Sequence, residues 1–242
     1  MRRLHIPLRH FFATPPTPCP YLADKLERKV VTLLSDEEPD QLHSILSSAG
    51  FRRSQDLAYR PACDACNACI PVRIPTAEFS PSRTQRKIMR KNIDLIAEQR
   101  PPIATSEQFN LFRRYLTARH SEGGMADMNM ADYRAMIEDT PVDTFMIEYR
   151  TDDGELIAAC LTDRMNDGLS LVYSFFDPAA TSRSLGVFTV QWHVMQALKS
   201  KLDYVYLGYW VDGSQKMGYK ASFRPLEGLT REGWSRMPLE TA

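Results

Sequence analysis

Three runs of strand-forming residues, parted by two tight-turn signals, constrain the fold of this chain more than any other feature. Thr144–Arg150, Leu156–Asp163 and Leu169–Phe176 are rich in apolar and aromatic residues. Asp152-Asp153-Gly154 and Asn166-Asp167-Gly168 lie between them and supply residues that tolerate left-handed backbone. The spacing predicts an antiparallel meander of three strands. A long helix follows from Ser184 to Ser200, starting near Gly186, and then a fourth strand from Tyr204 to Tyr209.

The remainder reads less regularly. Pro15, Pro16, Pro18 and Pro20 keep 13–20 extended. A helix is expected over 35–48, with Leu42, Ile45 and Leu46 as its apolar stripe and Gly50 as its stop. Residues 51–59 read as a strand or turn, and 72–75 as a short strand. A basic helix is expected from Ser82 to Glu98, ending before Pro101-Pro102. Those prolines mark the expected boundary between residues 1–100 and 101–242. Beyond it come a helix from Ser106 to His120 with Ser106 as N-cap, a short helix from Met130 to Asp139, and another over 217–223.

The chain has 242 residues, 43% of them hydrophobic and 25% charged, which excludes a disordered chain, a collagen and a coiled-coil rod. No apolar run approaches the roughly 20 residues of a membrane span. Met1–Thr14 lacks an apolar signal core, so a cytoplasmic protein without membrane contact is expected. The formal charge of zero is unevenly spread. Residues 1–100 carry 16 Lys and Arg against 11 Asp and Glu, which points mildly to a polyanionic partner for that half.

Five cysteines and no export signal argue against a disulfide framework. Cys63, Cys66 and Cys69 form a C-x2-C-x2-C run, and Cys19 could fold back as a fourth ligand. Thiolates are soft ligands, so zinc and an iron–sulfur cluster are both open, as is a loop of free thiols. Cys160, within a strand, and His193, within a helix, read as core residues. Arg83, Arg86, Lys87 and Arg90 recur at i, i+3, i+4 and i+7 and share one helix face, which suits a phosphate backbone. Phosphate contact without a base-reading motif suits a structured RNA. Tyr204–Trp210 followed by Lys216–Lys220 offers aromatic rings for stacking and lysines for phosphates.

The strand–strand–strand–helix–strand order resembles the core of the N-acetyltransferase (GNAT) fold. Arg183-Ser-Leu-Gly186-Val-Phe188 stands where that fold carries a pyrophosphate-binding turn, although Phe188 replaces its second Gly or Ala. Cys19-Pro20-Tyr21-Leu22, Gly50–Ser54, Tyr59-Arg60-Pro61, the Cys63–Cys69 run, Pro71–Ile74 and the helix at Arg83–Asn92 together resemble the N-terminal part of the arginyl-tRNA–protein transferase family. Ser174–Pro178, Arg183–Gly186, Tyr206–Trp210 and Lys216–Lys220 extend that resemblance over nearly the whole chain. The fold class implied is α/β (α+β): an N-terminal Cys-rich, metal-binding-like region and a C-terminal GNAT-like acyltransferase domain with a mixed, mostly antiparallel sheet.

The resemblance implies an aminoacyltransferase that uses aminoacyl-tRNA in place of acyl-CoA and needs no cofactor for transfer. The short length resembles the bacterial branch, which moves leucine from leucyl-tRNA to proteins with N-terminal Asp or Glu and marks them for degradation. Transfer of arginine, an acyl-CoA N-acetyltransferase with a structural metal, and a non-enzymatic RNA-binding module stay open. An acidic N-terminal side chain calls for arginine, here Arg52, Arg53 or Arg73. Asp177, Tyr209 and Lys216 are the candidate catalytic residues. Tyr219 and Lys220 would hold the tRNA 3′ end, with Arg83, Arg86, Lys87, Arg90 and Arg183 contacting tRNA and Cys19, Cys63, Cys66 and Cys69 as metal ligands.

Overall fold

An eight-stranded sheet organises the computed structural model, which describes residues 9–34, 38–119, 124–211, 213–214 and 217–238. Four elements come from the expected stretch: β9 (Thr144–Arg150), β10 (Leu156–Arg164), β11 (Gly168–Phe176) and β12 (Tyr204–Val211). The first three form the antiparallel meander, and β11 and β12 are parallel across helix α5 (Leu185–Lys199). The sheet continues on both sides. β8 (Ile96–Arg100) pairs with β9 at one edge, while β7 (Cys69–Pro75), β13 (Glu227–Thr230) and β14 (Gly233–Arg236) follow β12 at the other. The sheet is mixed and mostly antiparallel, as expected.

Burial on both faces explains the unbroken apolar run of β10, whose first eight residues are all buried. Side chains alternate between two cores with period two. Ile147, Tyr149 and Cys160 pack under α5 together with Phe188 and Val194. Met146, Ala159 and Leu161 pack under α3 (Ser106–Arg119) and α4 (Met130–Glu138), against Phe112 and Tyr133. α2 (Arg83–Lys91) lies beside α5 and sends Ile88 and Met89 into the first core.

A second, four-stranded sheet takes the order β1-β4-β6-β5 from β1 (Phe12–Ala13), β4 (Lys29–Leu33), β6 (Leu57–Pro61) and β5 (Arg52–Ser54). α1 (Pro39–Ser48) closes a small core with it around Leu34, Leu46 and Ala58. β2 (Thr17–Pro18) and β3 (Leu26–Glu27) form a short ribbon.

Several expectations are corrected. Strands from either side of the expected boundary at residue 100 share one sheet: β7 is hydrogen-bonded between β12 and β13, and β8 pairs with β9. The basic helix stops at Lys91 rather than Glu98. The Asn92 side chain donates to the Ile88 carbonyl, one of the carbonyls the helix end leaves free, and the chain then enters β8. Thr105, not Ser106, caps α3: its hydroxyl accepts from the Gln108 N–H and the Gln108 side chain returns the bond to the Thr105 N–H. The start of the α1 expectation, 35–37, lies outside the described residues. The hairpin of β13 and β14 was not anticipated. Among the described residues no helix is long and apolar enough to cross a membrane.

Candidate active site

The parallel strands β11 and β12 pair only over Gly168–Ser170 and Tyr204–Tyr206 and then part. Parting leaves carbonyls of both strands without sheet partners, and buried carbonyls need donors. Arg52, from β5, enters the split: Nη2 donates to the Leu171 and Val172 carbonyls at 3.0 and 2.8 Å, and Nη1 donates to the Leu207 carbonyl at 3.2 Å. Lys220, on a 3-10 turn (Gly218–Ser222), supplies the next donors. Its Nζ lies 2.8 Å from the Leu207 carbonyl and 2.7 Å from that of Tyr209. Lys220 is only 4% exposed, and burial, followed by the charge of Arg52, holds its pKa well below the usual lysine value.

Arg52 and Lys220 both line a cavity of about 760 Å3. Tyr21, Tyr115, Tyr173, Ser174 and Tyr219 face it as well. A second cavity, of about 550 Å3, shares Tyr115, Ser174 and Tyr219 with the first and reaches the start of α5 at Leu185, Gly186 and Val187. The two adjoin along those three residues as one groove, running from Arg52 and Lys220 in the strand split to a helix N-terminus, a position that favours phosphate. Burial raises the pKa of the Tyr115 and Tyr173 hydroxyls, which keeps them as protonated donors along the groove. Phe188 is 3% exposed and packs edge-on against Tyr149, so it serves the core rather than a pyrophosphate turn.

The expected site residues divide. Arg52, Tyr219, Lys220 and Asp177 come together on the groove. Asp177 also forms a local turn, its Oδ1 accepting from the Ala179 N–H at 2.9 Å. Lys220, expected at an RNA phosphate, is instead buried against β12 carbonyls.

Arg53, Arg73 and Tyr209 are not brought to the groove. Arg53 is locked to Asp163 by a two-point ion pair at 2.7 and 2.8 Å, with side chains 1% and 0% exposed. Burial pushes the Asp163 carboxyl up, but hydrogen bonds from His43 and Arg53 outweigh it and bring its pKa down to about 2. Arg73 stacks on Tyr204 and Trp234 and donates to Glu227 at 2.8 Å. The Tyr209 hydroxyl donates to the Gly50 and Tyr59 carbonyls and ties the two sheets together. Lys216 lies outside the described residues.

Arg83, Arg86, Lys87 and Arg90 are exposed along α2, as the spacing implied. Arg183 joins that helix to the groove. It pairs with Asp94 at 2.8 Å and donates to the Lys91 carbonyl, while its neighbours Thr181 and Ser184 line the second cavity. His193 is buried, and desolvation lowers its pKa to about 4 despite its bond to the Thr189 carbonyl. It and Cys160 are core residues, as read.

Cys19, Cys63, Cys66 and Cys69 line one further cavity of about 830 Å3. Burial and then the three neighbouring thiols push the Cys69 thiol up to about 12. The donors are soft and border one cavity, but among the described residues no three of them come together around a metal position. Sequence reasoning missed Tyr115 and Tyr173. Ser174 belongs to the quoted Ser174–Pro178 motif, but nothing in the pattern around Tyr115 distinguishes it from the apolar face of α3.

With this geometry in place, comparison with known proteins is direct. Residues 17–87 match the N-terminal model, and 107–230 the C-terminal model, of the arginine-tRNA–protein transferases. The aspartate/glutamate leucyltransferase of Paramagnetospirillum magneticum is 55% identical over 235 residues, covering 96% of each chain. That of Parvibaculum lavamentivorans is 56% identical over 228 residues, covering 94% of this chain and 95% of its own. Among solved structures, the crystal structure of FemX aligns with a TM-score of 0.48 at 7% identity, covering 86% of this chain and 81% of that one. The chain is an aminoacyltransferase. It belongs to the arginine-tRNA–protein transferase family.

Proposed function

We propose that the groove transfers leucine from leucyl-tRNA to the α-amine of proteins that begin with Asp or Glu. Leucine and the acidic acceptor follow the names of the relatives. The observation that carries the reading here is the Arg52 guanidinium held in the strand split beside the buried Lys220. Among the described residues no carboxylate pairs with Arg52, so an acidic side chain entering the cavity would meet its uncompensated guanidinium charge. Three of the five Arg52 N–H donors are in use among the described residues.

The rest of the groove serves the donor. The tRNA body lies on α2, and its 3′ end passes Arg183 to the start of α5 and Tyr219. The ester is already activated, so holding it beside the amine supplies much of the rate. Attack forms a tetrahedral oxyanion, which the Ser174 hydroxyl on the groove would receive. The core is GNAT-like in its strand order, and an RNA-borne donor implies the cytoplasm.

The four cysteines would hold zinc or an iron–sulfur cluster whose role is to fix the N-terminal segment that carries Tyr21 into the cavity. Metal analysis of purified protein tests this: Cys63→Ser and Cys66→Ser should each lower metal content, and a metal-free wild-type protein at full activity would remove the proposal.

One assay tests the function. The protein is incubated with leucyl-tRNA, arginyl-tRNA or acetyl-CoA and with peptides starting Asp, Glu, Lys or Ala, and peptide mass is measured. A leucine increment confined to the Asp and Glu peptides is expected. An arginine or acetyl increment, or no change with any donor, overturns the reading.

A further inference from the structure

The acceptor amine reaches the groove mostly as an ammonium, since its ordinary pKa is about 7.7–8.0, and it cannot attack until a proton leaves. We propose that Lys220 is the catalytic residue that takes that proton, as a neutral amine whose two N–H bonds are held by the Leu207 and Tyr209 carbonyls. The proposal rests on the functional reading above and names the base within it.

The geometry is unusual for a lysine. Nζ is tetrahedral, two positions are spent on β12 carbonyls, and the side chain borders the substrate cavity. A neutral amine has two hydrogens, which matches the two carbonyl acceptors and leaves the lone pair as its remaining position. Nothing acidic among the described residues favours the charged form. Arg52 approaches from β5 and shares the Leu207 carbonyl; Tyr115 comes from α3, Tyr173 from β11, Tyr219 from the same turn, and Tyr21 and Cys19 from the N-terminal segment. Burial and the fixed charge of Arg52 both disfavour the charged form of the lysine in that cavity.

The juxtaposition with Arg52 suits the acceptor. An N-terminal Asp presents a carboxylate and an ammonium a few bonds apart, and Arg52 and Lys220 meet at one carbonyl. The carboxylate would face the guanidinium and the ammonium the lysine. Lys220 takes one proton from the ammonium. The resulting amine attacks the ester carbon and the C–N bond forms. The C–O bond to the ribose then breaks, and the surplus proton on nitrogen passes to the ribose oxygen. Lys220 finally releases its proton to solvent, so the reaction sheds one proton overall.

Lys220→Gln and Lys220→Arg test this, with leucyl-tRNA and an Asp-initiated peptide across about pH 6 to 9. Gln keeps two N–H donors without a base, and Arg keeps a cation that cannot lose its proton. Both should lose roughly 10²–10⁴-fold in kcat at neutral pH while binding leucyl-tRNA normally. The Gln deficit should shrink as pH rises past about 8, where the acceptor amine deprotonates unaided. Wild-type rates in Lys220→Arg, or a Gln deficit of constant size at every pH, would overturn the assignment, because a cation or a packing role would then suffice. Absence of transfer by the wild-type protein itself would instead refute the functional reading.

Discussion

A Cβ atom placed on Gly208 would lie 1.4 Å from Nη1 of Arg52. Gly208 also has φ of +74°, a conformation other residues resist, and it sits at the irregularity where β12 shifts its register against β7. One missing side chain therefore both bends the strand and admits the guanidinium that fills the split. Gly208→Ala should displace Arg52, strand the carbonyls it satisfies, and lower unfolding stability by about 2–4 kcal/mol. Urea denaturation measures this, and a loss under about 0.5 kcal/mol would show that the bend tolerates a side chain.

Arg52→Gln keeps a polar side chain in the split but removes the charge. Transfer to Asp- and Glu-initiated peptides should fall by about 10²-fold or more in kcat/KM, since an incoming carboxylate then loses a charge-assisted partner in a confined site. Leucyl-tRNA affinity should stay within a few-fold of wild type. Equal discrimination between Asp- and Ala-initiated peptides in wild type and variant would show that another residue reads the carboxylate.

The Arg53–Asp163 pair bears on stability rather than on substrate. The Asp163 carboxyl has a folded pKa of about 2 against an ordinary 3.8. Its folded state binds the proton more weakly than the unfolded chain, so the contribution is present above pH 4 and is lost as pH falls from about 4 to about 2. The size is about 2 kcal/mol. Asp163→Asn should flatten that part of the stability–pH curve while destabilising the protein at pH 7, because Arg53 is left buried and unpaired. An unchanged slope between pH 4 and pH 2 would count against Asp163 as its source.

These contrasts show what the residue pattern discloses. The meander of β9, β10 and β11 is local: turn chemistry and strand composition lie within one stretch of chain, and so they are readable. β7 joins β12 over more than a hundred residues of intervening chain, and no period signals such a pairing, which is why the prolines at 101 and 102 suggested a boundary the sheet ignores. Arg52 and Arg53 are adjacent and chemically identical. Strand alternation sends Arg52 to the split and Arg53 to Asp163, and only the partners distinguish them. Lys220 reads as a surface lysine in sequence because its burial depends on carbonyls that the parting of β11 and β12 exposes.

The exposed cations of α2 define the final prediction. Ser82 and Gln85 cap the helix reciprocally, and the buried Gln85 side chain donates to the Ser222 carbonyl, which fixes the helix against the turn that carries Lys220. Arg83, Arg86 and Arg90 point outward, and none of them forms an ion pair among the described residues. Each phosphate contact they make would release counterions, so the three together should steepen the salt dependence of tRNA binding by about three units of log–log slope. Replacing all three by Gln should weaken leucyl-tRNA binding at low salt and flatten that slope by about the same amount. Saturating leucyl-tRNA should restore kcat, because the groove is untouched. A loss of kcat that saturation does not repair would place α2 in the chemistry rather than in docking, and an unaltered slope would move the tRNA to another face.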